Sequence, residues 1–123
     1  MDVVGNAKRG QEIMEKLFGV EPKASSVLKN ISELTNDYLF GVIWDRPNLK
    51  LRDRIMITVA VVAALGRERN LEGYLHGALN LGLTRDEIME VMIHVAHYAG
   101  WAAGRNGATL AEKVFSQVDA TKR

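Results

Sequence analysis

The stretch Ile55-Met56-Ile57-Thr58-Val59-Ala60-Val61-Val62-Ala63-Ala64-Leu65 decides the fold. Wound as a helix it is apolar around its whole circumference, and helices of that kind are buried on every side. It is far short of the ~20 residues that cross a bilayer. A chain of 123 residues has few helices with which to surround it, and small domains bury only about two thirds of the surface their unfolded chains expose. A neighbouring copy covering part of this helix is the expected arrangement, so the chain reads as a homo-oligomer. The other arrangement is a central helix wrapped by the chain's own five remaining ones.

Outward from that segment the same helical spacing continues. The central helix is predicted over 51–65, ending at Gly66. Before it, Pro47 biases Arg46 out of the helical region and makes 42–49 a loop. A second helix is predicted from a serine cap at Ser25 or Ser26 to Gly41, with Val27, Leu28, Ile31, Leu34, Tyr38 and Leu39 in register. A first covers about 5–18, with Ile13, Met14, Leu17 and Phe18 on one stripe, and stops at Gly19. Downstream, helices are predicted over about 69–81, from a Thr84-Arg85-Asp86-Glu87 capping box to about Gly100, and over about 103–117. In the last, Gly100, Gly104, Gly107, Ala108 and Ala111 recur at three and four residues, a stripe that lets another backbone approach closely. Residues 119–123 read as a solvated tail. The prolines, Pro22 and Pro47, are the sole breakers and strand signals are lacking, so the expectation is an all-α, single-domain bundle of about six helices over 1–123.

Composition removes several function classes. There is no cysteine, which excludes thiol catalysis, thiolate metal sites and disulfide exchange. Sixteen Lys and Arg against fifteen Asp and Glu leave a formal charge of +1, without the clustered basic face that a nucleic-acid backbone requires. The opening Met1-Asp2-Val3-Val4-Gly5 lacks the basic-then-apolar pattern of a secretory signal. The expectation is a soluble cytoplasmic protein with neither nucleic acid nor membrane as partner.

Three histidines carry the remaining chemistry. Glu72 and His76 are four residues apart and share a helix face, where a carboxylate raises the basicity of an imidazole and can fix its tautomer. This pair is the candidate for proton transfer, although the same spacing also serves an ordinary surface pair. Glu90, His94, His97 and Trp101 step by four, three and four residues, within roughly 60° at ~100° per residue, and could line a cleft. Neither Glu-x-x-x-His pair has the Glu-x-x-His spacing of di-iron bundles, and the zincin pattern is absent, so no metal site is expected. Arg46 sits in a Trp-Asp-Arg-Pro loop and Arg54 opens the apolar helix. Either guanidinium can fork onto a carboxylate, or serve as a simple ion pair.

Taken in order, these segments resemble the carboxymuconolactone decarboxylase family from about Gly5 to Phe115. The resemblance is densest from Trp44 onward. Val42-Ile43-Trp44-Asp45-Arg46-Pro47-Asn48-Leu49 matches the family's vw-x-RPgL loop, and Arg54 with Ala63-Ala64-Leu65-Gly66-Arg67 matches its third helix. Leu71-Glu72 with His76, then Ala78-Leu79-Asn80-x-Gly82-x-Thr84-x-x-Glu87-Ile88-x-Glu90-Val91, and finally Tyr98-Ala99-Gly100, complete the set. Alkylhydroperoxidase-like relatives carry a Cys-x-x-Cys where this chain has Arg69 and Glu72, so the resemblance points to the cysteine-free branch. Ala102 stands where the family usually has proline, and a second histidine at position 97 is outside its pattern.

The resemblance implies an alkylhydroperoxidase-like helical subunit, assembled as trimers or hexamers. It further implies a cofactor-independent decarboxylase that takes carbon dioxide from 4-carboxymuconolactone or a related carboxylated lactone, a step of protocatechuate breakdown toward 3-oxoadipate. On that implication His76, oriented by Glu72, delivers the proton, while Arg46 and Arg54 grip the carboxylate that stays. Trp44, Tyr98 and Trp101 wall the pocket, and His94 is a second donor. The alternatives are a lactone hydrolase or isomerase of the same fold, or a non-enzymatic binding or scaffold protein.

Overall fold

The computed structural model describes residues 5–19 and 28–122. Among them are six α-helices, one π-helical segment and no strand. The all-helical expectation therefore holds. The chain divides into two compact units at Leu51/Arg52, and each is described by itself.

The first unit holds α1 (Ala7–Phe18), α2 (Lys29–Leu34) and a π-helical continuation over Thr35–Ile43. Asn6 caps α1 by accepting the Arg9 backbone N–H at 3.0 Å, and Gly19 ends it with φ 83°, as its position predicts. Ser25 and Ser26, the expected caps of the second helix, lie outside the described residues. The expected loop at Val42 starts later, because the wider winding runs on until the Trp44 N–H reaches the Leu39 carbonyl at 2.9 Å. α1 packs closely on this segment. A Cβ on Gly10 would stand 1.7 Å from the Asn36 carbonyl oxygen, so only glycine permits this approach. Ile13, Met14, Leu17, Phe40 and Trp44 form the buried core here, with Phe40 between the rings of Phe18 and Trp44.

The second unit holds α3 (Leu51–Ala64, beginning one residue before the division), α4 (Glu68–Asn80), α5 (Arg85–Ala99) and α6 (Trp101–Thr121). The capping box of α5 forms as read: Thr84 Oγ1 accepts the Glu87 N–H at 3.0 Å and Glu87 returns the bond at 2.9 Å. Gly100, at φ 122°, turns α5 into α6, which starts at Trp101 instead of Ala103 and runs four residues past Gln117. The expected tail is thus partly structural. Asp119 accepts two bonds from the Arg85 guanidinium, which also lies 5.0 Å over the Phe115 ring. α6 packs on α4 and α5. The small-residue stripe is what allows it: a Cβ on Gly104 would meet the Met92 carbonyl oxygen at 2.5 Å.

The central helix departs from its all-round apolar pattern in an informative way. Ile55, Val59 and Ala63 are buried, while Ile57 and Val61 are 50% exposed and Leu65 is 64% exposed. Among the described residues this row of α3 is left open. No helix among the described residues is long and apolar enough to cross a membrane.

Candidate functional site

α4 carries Glu72 and His76 one turn apart, with Leu71 and Leu75 buried on the adjoining face as anchors. Both polar side chains are half-buried. They do not pair directly. Gln117 of α6 stands between them: its amide N–H donates to Glu72 Oε1 at 3.2 Å, and its Oε1 accepts from His76 Nε2 at 3.0 Å. Lys113, one turn earlier on α6, places its ammonium 3.5 Å from the same Glu72 oxygen. The Gln117 amide first, and then the Lys113 charge, hold the Glu72 carboxyl below its usual range. Tyr74, between Glu72 and His76 in sequence, has its phenol pushed up by burial.

A second cluster lies on α3 and α5. A hollow of about 430 Å³ is floored by Met56, Ala60, Val91 and Val95 and edged by Glu90 and His94. Its lining does not include His76. His94 stacks on Tyr98 at 4.8 Å between ring centroids, and Tyr98 is 83% exposed. His97 donates through Nδ1 to the Ile93 carbonyl at 2.7 Å and meets the edge of Trp101, which is 66% exposed and belongs to α6 rather than to the α5 stripe. At the hollow's end, Glu87 accepts from Arg52 Nη2 at 2.5 and 2.6 Å. That bond, followed by the Thr84 backbone N–H, draws the Glu87 carboxyl down to about 2.

Arg54 occupies the first turn of α3, half-buried. In the first unit Trp44 is a core side chain against Phe40, and Arg46 edges an open hollow of about 410 Å³ with Asn6, Asp45 and Asn48. Asp45 accepts from Arg9 at 2.7 Å, so it is not reserved for Arg46.

Sequence reading thus found the Glu72–His76 face and missed Gln117, Lys113 and Arg52. Gln117 is 41 residues from His76, beyond any local spacing rule. Among the described residues no three His, Asp or Glu side chains converge as metal ligands would.

The chain is all-helical and without thiols, and it sets an imidazole, an amide and a carboxylate in series across α4 and α6. It belongs to the carboxymuconolactone decarboxylase family, whose pattern matches residues 30–113. The chain is similar to 4-carboxymuconolactone decarboxylase of Acinetobacter baylyi, 33% identical over 118 residues, covering 90% of this chain and 87% of that protein. It is also similar to nitrosuccinic acid decarboxylase of Metarhizium robertsii, 37% identical over 70 residues, covering 55% of this chain and 48% of that one.

Proposed function

We propose that this chain is a cofactor-independent carboxy-lyase acting on 4-carboxymuconolactone or a closely related carboxylated lactone, with His76 as the proton donor. The observation that carries the reading is the held imidazole of His76, in a family whose named relatives are decarboxylases.

The substrate explains why no external electron sink is called for. Its departing carboxylate sits on a ring carbon joined through a double bond to the lactone carbonyl. When the carbon–carbon bond breaks, the electron pair moves through that double bond to the carbonyl oxygen, giving a dienolate. A nitro group adjacent to a carboxyl-bearing carbon takes up an electron pair in the same manner, so both relatives' named substrates share this property. The protein then supplies a donor to the developing negative oxygen, a proton for the ring carbon beside the carbonyl, and a cation for the carboxylate that remains. His76 supplies the proton and Arg54 the cation. The balance is one substrate carboxylate and one proton in, one carbon dioxide and the enol-lactone out.

The subunit is proposed to work as a homo-oligomer, a trimer or hexamer. The open Ile57, Val61 and Leu65 row on α3 supports this, since exposed apolar rows of this kind mark association surfaces.

The test is product analysis with purified, metal-free protein. Carbon dioxide released in step with loss of the lactone is expected. Ring opening without gas would assign a hydrolase instead, and an unchanged substrate would favour a binding protein.

A further inference from the structure

The amide of Gln117 can face only one way. A carboxylate accepts hydrogen bonds and cannot donate, so the NH2 group of Gln117 must point at Glu72, 3.2 Å away. Its oxygen is then turned toward His76, and an amide oxygen also only accepts. Nε2 of His76 must therefore carry a hydrogen. Flipping the amide would set its oxygen against the Glu72 carboxylate oxygen and lose that bond. Lys113 steadies the far end through the same Glu72 oxygen. Nδ1 of His76 has no hydrogen bond to another described residue.

We infer that Gln117 is a positioning residue that commits Nε2 of His76 to a fixed N–H and leaves Nδ1 as the ring nitrogen that exchanges its proton with the substrate. The inference rests on the proton-donor role proposed above. In the acid step the imidazolium passes its Nδ1 proton to the ring carbon as the bond to carbon dioxide breaks. It is left neutral, already in the Nε2–H tautomer, and Nδ1 is recharged by a solvent proton. No tautomer exchange interrupts the cycle. Gln117 lies on α6, four residues beyond the family-matched stretch, which ends at residue 113. An amide spacer further transmits orientation to the imidazole while keeping the Glu72 charge one side chain away. Among the charged residues of α4 and α6, Glu72 and Lys113 join this hydrogen-bonded series.

The test is nitrogen–proton correlation spectroscopy of the histidine rings in the full chain, with His76→Gln to assign the resonance. In the wild type the neutral ring of His76 is expected wholly in the Nε2–H form. Gln117→Met, similar in length but without either bond, should move the ring shifts toward the solvent-averaged mixture. It should also lower kcat about tenfold with KM little changed, as loss of transition-state alignment does. Gln117→Glu puts a carboxylate at hydrogen-bond range and should raise the His76 titration midpoint by about one unit or more. An Nδ1–H ring in the wild type, or unchanged ring shifts in Gln117→Met, or an unmoved midpoint in Gln117→Glu, overturns the inference while leaving the decarboxylase reading standing, because none of these requires turnover. A fully active His76→Ala enzyme removes the reacting role of Nδ1 together with that reading.

Discussion

Gly104→Ala sets two opposed effects against each other at the meeting of α5 and α6. Replacing a glycine inside a helix by alanine favours the helix by up to about 1 kcal/mol. The added methyl, however, would stand 2.5 Å from the Met92 carbonyl oxygen and 2.6 Å from the Ala96 Cβ, where ordinary contact begins at 3.4 Å. The deficit is close to an ångström against backbone, which has no rotamer to yield. Relief requires the two helices to part, at a cost of about 1–3 kcal/mol for overpacking, plus lost contact around Met92 and Gly107. Packing should win, leaving the variant about 1–2 kcal/mol less stable by denaturant titration, or several degrees lower in melting temperature. Gly107→Ala should cost less, because its methyl meets the Met92 Sδ at 2.4 Å, a side chain able to swing aside. A Gly104→Ala protein as stable as wild type or more so would refute the close approach, and a larger loss at Gly107 than at Gly104 would refute the assignment of backbone as the obstacle.

Stability should fall in acid in a defined window. Glu87 titrates lower folded, at about 2, than its ordinary 4.5, so its contribution is complete above the latter and disappears as pH drops through the former. Arg52→Gln should flatten the melting-temperature profile across that interval, and parallel profiles would show that the pair contributes nothing. On the open face of α3, Val61→Glu should dissociate the assembly as read by sedimentation without unfolding the subunit, since Val61 is half exposed within it. A wild-type protein already monomeric at micromolar concentration would dispose of the proposed association.

The fold was legible because its signals are local. Apolar spacing, the Thr84–Glu87 box and the glycines past α1 and α4 act within a turn or two of where they are written. The π-helical winding over Thr35–Ile43 was not, since its periodicity differs little from that of an α-helix. The same contrast divides the site. Glu72 and His76 announce themselves by a four-residue interval, whereas Gln117 and Arg52 reach their partners across 41 and 35 residues. A glutamine one turn past a lysine carries no signal until α6 is laid on α4. Trp44, expected from its motif to wall a pocket, has its ring packed on Phe40.

The most direct measurement is the turnover of carboxymuconolactone by His76→Ala, beside wild type, in protein shown by circular dichroism and melting to keep its fold. General-acid catalysis contributes about 10²–10⁴-fold, so the variant is expected to lose at least a hundredfold in kcat. Turnover equal to wild type would contradict the account, because no proton would then pass through His76.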